Sequence, residues 1–141
     1  MIKHILVPID GSEHAQRALE TAKSLIESLS GDRFALTILH VNPELSYNEP
    51  PLGVDVESKL EEEGRSIIES VAHLFEGMNL KLETVSLHGD PAKLICETAR
   101  DHEVDLIIMG TRGMSLVTEM LLGSVSHQVI QHAHCPVMTV K

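Results

Sequence analysis

Three glycines and two serines near the end of the chain are spaced as if to hold an anion. The sequence reads Met109-Gly110-Thr111-Arg112-Gly113 and resumes at Gly123-Ser124-Val125-Ser126, a G-x2-G-x9-G-S pattern. Glycine lets backbone come close to a phosphate and adopt positive φ, so several N–H groups can converge on one anion. Gly123-Ser124 also stands where a helix should begin, and a helix N-terminus offers free N–H groups and a partial positive charge. The Ser124 hydroxyl is a further donor. The segment between Gly113 and Gly123 would be a flap that brings both donor groups together. With glycine at about 7% of average composition, such a pattern arises by chance in well under about 1% of chains this long. The plainer reading is that Gly110 ends a strand and Gly123 only turns the chain into a helix.

Other residues offer chemistry more weakly. Asp10 follows the first apolar run, where it can accept hydrogen bonds from a ligand or cap the next helix. Both can hold in turn, capping when empty and binding when full. Arg112 suits a phosphate but also reads as a solvated loop residue. Met109 reads as core or pocket wall. His132, His134 and Cys135, with His127 nearby, are metal-ligand types, but their spacing builds no zinc site and no second pair supplies a fourth ligand. No metal held by protein side chains is expected. Cys96 and Cys135 are too few for a disulfide framework and read as buried thiols of a reducing compartment. Glu61-Glu62-Glu63 reads as an exposed helix face, with Glu61–Arg65 and Lys59–Glu63 at i,i+4.

The elements that must position these residues alternate. IKHILVPI at 2–9 is a short apolar run ended by Asp10-Gly11-Ser12, a strand entering a turn. Ala15, Ala18, Leu19, Ala22, Leu25, Ile26 and Leu29 then fall on one helical face, which Asp10 or Ser12 can cap and Gly31 follows. FALTILHVN at 34–42 is a second strand, stopped by Pro43. Residues 43–55 hold three prolines and a glycine and read as a loop. Leu60, Gly64, Ile67, Ile68, Val71, Leu74 and Phe75 mark a second helix, closed by Gly77. LKLETVSL at 80–87 is a third strand and His88-Gly89 a turn. Asp90-Pro91 opens a third helix over 91–102, with Asp90 as cap. VDLIIM at 104–109 is a fourth strand. A helix around 124–133 and a strand at 136–140 complete the chain.

Strands alternating with helices imply an α/β fold, a five-stranded parallel sheet with helices on both faces. Ligands of such sheets bind beyond the C-terminal strand ends, where strand order reverses. That directs attention to residues 8–12, 41–43, 88–90 and 109–113.

The chain has 141 residues, one domain's worth, so 1–141 is expected to be a single domain. Eleven basic residues against twenty-one acidic give a net charge of −10. Such acidity argues against nucleic acid and anionic membranes as partners, because phosphate neutralisation needs clustered Lys and Arg. One Tyr, two Phe and no Trp provide no stacking platform for single strands. No apolar run approaches the roughly 20 residues of a membrane span, and the N-terminus lacks a signal-peptide pattern. A cytoplasmic location is the default expectation. The acidity is uneven: residues 44–69 carry eight acids and two bases, whereas 110–141 carry Arg112 and Lys141 against Glu119. A small anion held by backbone N–H groups and Arg112 is therefore compatible with the overall charge.

Four segments together resemble the universal stress protein family, in its ATP-binding branch. They are ILVPIDGS with the Ala15/Ala18 helix, the HGDP turn at 88–91, the strand VDLIIMGTRG, and LLGSVSHQVIQHAHCPVMTV. The match spans the whole chain, and G-x2-G-x9-G-S is the motif of members that hold ATP. The resemblance implies a Rossmann-like, adenine nucleotide alpha hydrolase-like domain. Pro8 and Asp10 would lie at the adenosine end, with Asp10 near ribose or adenine. Val41 would offer backbone groups to the adenine edge, beside Met109. Gly110, Arg112, Gly113, Gly123, Ser124, Val125 and Ser126 would surround ribose and phosphates. Some members carry His in place of Arg112, and a guanidinium suits a phosphate at least as well. The cofactor would be ATP, or ADP or AMP, with Mg2+ or Mn2+ held by the phosphates. Members also form homodimers through the last strand, here 136–140. A short apolar edge strand is an aggregation risk unless paired, which agrees.

The implied role is a small regulator of stress response whose nucleotide orders the 111–122 flap. The alternative is a slow ATP-hydrolysing enzyme of the same fold. Against common ATP enzymes stand the absence of G-x-x-x-x-G-K-[ST] and of any Lys between 94 and 140. Glu119 is the nearest carboxylate to the motif, and no residue within it is an obvious base for water. A phosphorylated receiver domain would need an acidic pair after the first strand, where Asp10 stands alone. A dinucleotide carrier would need G-x-G-x-x-G there, where D-G-S stands instead.

Overall fold

A computed structural model describes residues 2–29, 33–42, 56–111 and 123–141, with no side-chain description for 56–58 and 60. Its strands are β1 (His4–Ile9), β2 (Phe34–Asn42), β3 (Leu80–His88), β4 (Leu106–Gly110) and β5 (Val137–Val140). The helices are α1 (Glu13–Ser28), α2 (Val56–Ala72), α3 (Pro91–Asp101) and α4 (Ser124–His132), with a 3-10 turn at His73–Phe75. All described pairings are parallel, in one five-stranded sheet ordered β3-β2-β1-β4-β5. The order builds outward from β1 to β3 and then resumes on the other side at β4. The switch point is therefore the gap between the C-terminal ends of β1 and β4.

Strand alternation divides the core into two layers. Ile5, Val7 and Ile9 of β1, with Leu36 and Ile38 of β2 and Ile108 of β4, face α1 and α2. Leu6, Leu39, Ile107 and Met109 face α3 and α4. The central strands are buried on both sides, which is why they read as continuous apolar runs. Helix α1 meets the sheet through Ala15, Ala18 and Ala22, small residues that allow close approach, with Leu19 and Ile26 buried beside them.

Several expected boundaries move for local reasons. Ser12, not Asp10, caps α1: its Oγ accepts the Ala15 N–H at 3.2 Å. Asp10 Oδ1 instead accepts the Ser12 N–H at 2.9 Å, a turn closed through Gly11 at φ +84°. Asp90 does take the N-cap position of α3, but its side chain makes no capping bond. Val104 was expected in the fourth strand. Its N–H returns to the Ala99 carbonyl at 2.9 Å, so it belongs to the turn that closes α3, where Glu103 adopts φ 54°. Pro136 precedes β5 rather than opening it, although its carbonyl accepts the Ile107 N–H at 3.0 Å. On α2, Glu61 Oε1 meets His88 Nε2 at 3.3 Å in place of the expected Arg65. Cys96 is buried as expected, whereas Cys135 is only partly so. Burial pushes both thiols up from their ordinary value.

Candidate functional site

The C-terminal ends of β1, β2 and β4 and the start of α4 converge at the switch point. Pro8 alternates with Val7 and Ile9, which face α1 and α2, so it faces the α3 and α4 side. Val41, Met109 and Val125 pack in that same layer. Asp10 stands at the exit of β1, with Oδ1 committed to the Ser12 N–H.

Thr111 ties the exit of β4 to both neighbouring elements. Its N–H donates to the Val140 carbonyl at 2.9 Å, which aligns β5. Its carbonyl accepts the Gly123 N–H at 2.6 Å and the Ser126 hydroxyl at 3.1 Å. The end of β4 and the start of α4 are therefore held together. Arg112, Gly113 and the interior of the expected flap lie outside the described residues. Thr111 was not singled out from sequence as a site residue. The only signal was its place inside the glycine motif, because what it contributes is backbone.

Helix α4 opens with Gly123 at the N-cap, no side-chain capping bond and no acidic residue in the first turn. The N–H groups of Ser124, Val125 and Ser126 thus have no intrahelical partner. Ser124 is exposed, while Ser126 is buried. The Ser126 hydroxyl donates toward the carbonyls of Thr111 and Gly123, at 3.1 and 3.0 Å. Its side chain ties the first turn of α4 to Thr111, and its backbone N–H is the group left for a ligand.

Gly110 has a structural reason of its own. A Cβ there would stand 2.6 Å from His14 Cβ and 2.8 Å from the His14 carbonyl carbon. The first turn of α1 rests directly on the β4 backbone at the switch point, so Gly110 is constrained by packing before any ligand is considered.

Three polar residues of β2 lay unweighed in the second apolar run. Thr37, His40 and Asn42 are buried on β2. The Asn42 carbonyl accepts the Gly89 N–H at 3.0 Å, which fixes the turn after β3. At the opposite end of the sheet, Asp105 Oδ2 accepts the N–H groups of Lys3 and His4, both at 2.9 Å. Those bonds hold its carboxyl below the usual range. His4 Nδ1 meets the His102 carbonyl at 3.0 Å, so that nitrogen carries the proton, and Nε2 faces Thr37 Oγ1 at 2.8 Å. Burial pulls His4 below its ordinary pKa. No group of three or more potential metal ligands occurs among the described residues.

Comparison with known proteins agrees with this geometry. The model of the universal stress protein family matches residues 1–141. Universal stress protein YxiE of Bacillus subtilis is 34% identical over 151 residues, and the alignment covers all of both chains. The solved structure of protein MJ0577, from Methanocaldococcus jannaschii, superposes with a TM-score of 0.88 at 33% identity, covering 100% of this chain and 96% of that one. An Arabidopsis thaliana family member, solved with AMP bound, superposes with a TM-score of 0.73 at 26% identity, covering 99% and 91%. With the family model matched from end to end and solved relatives superposing over nearly the whole chain, the chain belongs to the universal stress protein family.

Proposed function

We propose that this protein is a cytoplasmic regulator that binds ATP, or ADP or AMP, at the β1/β4 switch point. The observation that carries the reading is the uncapped first turn of α4, joined to the end of β4 through Thr111 and packed in one layer with the apolar Val41 and Met109. A nucleotide has matching parts. Its base would lie on the apolar layer, with the Val41 backbone at its edge. Its ribose would meet Asp10. Its phosphates would take the N–H groups of Ser124, Val125 and Ser126, the Ser124 hydroxyl and Arg112, with Gly110, Gly113 and Gly123 allowing close approach. Mg2+ or Mn2+ would be held by the phosphates. That an Arabidopsis relative was solved with AMP supports an adenine nucleotide.

Nothing in this proposed site requires turnover. Backbone N–H groups bind an anion but move no proton from water, and Glu119 lies outside the described residues. Binding would instead order the 111–122 flap and change the surface offered to a partner. Strand β5 at the sheet edge would pair antiparallel with a second copy, giving a homodimer; Met138 on it is 38% exposed.

Thermal unfolding with and without nucleotide tests the reading. At a hundredfold excess over Kd, ATP with Mg2+ should stabilise by about 2.7 kcal/mol. Gly113→Ala and Gly123→Ala should lose that gain. No shift with any adenine nucleotide, in protein shown to be folded, overturns the proposal. Multiple-turnover hydrolysis at about 1–10 per second would replace the regulator with an enzyme. Native mass spectrometry of the purified protein would report retained nucleotide and oligomeric state together.

A further inference from the structure

Two buried ring nitrogens have no hydrogen-bond partner among the described residues: His14 Nδ1 on α1 and, on the sheet face opposite the proposed site, His40 Nδ1 on β2. His40 is 7% exposed near the end of β2, and its Nδ1 makes no hydrogen bond among the described residues. Helix α2 lies directly on this ring. A Cβ on Gly64 would fall 2.7 Å from Nδ1 and 2.9 Å from Cε1, so only glycine lets the helix sit there. Ile68 and Val71 continue the contact into the apolar layer.

We propose that His40 is a proton-sensitive latch for helix α2. While neutral, the imidazole forms a flat seat for the Gly64 backbone. When protonated, both ring nitrogens carry N–H groups. The one facing Gly64 has no hydrogen-bonded acceptor among the described residues, although Asn42 Oδ1 lies against the same Gly64 position, and a buried unpaired charge is costly. The least disruptive relief is for α2 to lift at Gly64 and admit water.

The surroundings do little to neutralise that charge. From β1, Asp10 favours the protonated form, but burial outweighs it and holds His40 below its ordinary value. Strand β3 places uncharged Ser86 in register with His40 and His88 two residues further on. Helix α2 brings Glu61, already engaged by His88 at 3.3 Å. The sign follows. The unfolded chain takes up a proton near pH 6.5 and the closed form only at lower pH, so closure is complete above 6.5 and weakens as pH falls below it.

Residue-resolved amide exchange, expressed as protection factors between pH 8 and pH 5, tests the latch alongside the His40 ring titration by NMR. Protection over 61–72 should fall by about tenfold for each unit by which the His40 pKa is depressed, while β1 and β4 keep theirs. His40→Leu should abolish the pH dependence in α2. Gly64→Ala should lower α2 protection already at pH 8 and bring the His40 pKa back toward 6.5. If His40→Leu does not fold, the wild-type comparison of α2 against β1 and β4 decides alone. Uniform loss of protection in all elements, or α2 protection unchanged while the His40 ring titrates, overturns the proposal.

Discussion

Replacing Gly110 by alanine separates packing from ligand binding. If Gly110 served only to let a phosphate approach, Gly110→Ala would weaken nucleotide binding and leave the free protein unchanged. The structure says otherwise. The added Cβ would lie 2.6 Å from His14 Cβ, about 0.8 Å inside the 3.4 Å where ordinary contact begins. The other close atoms are the His14 carbonyl carbon and oxygen, at 2.8 and 3.0 Å, so no side-chain rotation relieves the overlap. Helix α1 must withdraw, and it is seated through Ala15, Ala18 and Ala22, which have no length to follow. A gap of about 0.5–1 Å forfeits a quarter to a half of the dispersion energy of the facing atoms. Overpacking of this kind costs about 1–3 kcal/mol. For a domain of this size that is a Tm loss of roughly 3–10 °C. Urea and thermal unfolding of the nucleotide-free protein measure it. A Tm within about 1 °C of wild type would refute the packing account of Gly110.

Three further outcomes follow from the hydrogen bonds. Ser12→Ala removes the capping oxygen of α1 and should cost about 0.5–2 kcal/mol in denaturant unfolding. Ser126→Ala deletes the buried hydroxyl shared between the Thr111 and Gly123 carbonyls and should cost about 0.5–1.5 kcal/mol, with faster amide exchange at Gly123. Asp105 is held below its ordinary 3.8 chiefly by the Lys3 N–H, so its contribution is full above that value and is lost as pH falls through the lower folded value. Asp105→Asn should therefore flatten the dependence of stability on pH below about 3.8, read by acid titration of the circular dichroism.

The order of elements was readable because the central strands are buried on both faces and the helices bury one stripe each. Both arrangements leave patterns in a single sequence. Strand ends were less readable, because backbone bonds made far along the chain set them. Val104 leaves the fourth strand because Ala99 takes its N–H. Gly110 joins that strand through its pairing with Val140. The glycine motif pointed to the switch point, yet the packing reason for Gly110 depends on where α1 lies, and no residue of α1 announces that. Thr111 acts through its backbone, so its side-chain type carries no signal. His40 was visible as a polar residue in an apolar strand. Its contact with Gly64 joins positions 24 residues apart, and only the folded chain brings them together.

The central claim is that an adenine nucleotide binds where β1, β4 and α4 meet. Titration of the labelled protein with ATP and Mg2+, followed by backbone NMR, tests it most directly. The account predicts that Asp10, Val41, Gly110, Thr111 and Gly123–Ser126 shift together, while His4, His102 and Asp105 at the opposite end of the sheet do not. Absence of shifts at millimolar ATP, or shifts centred on that opposite end, would contradict it.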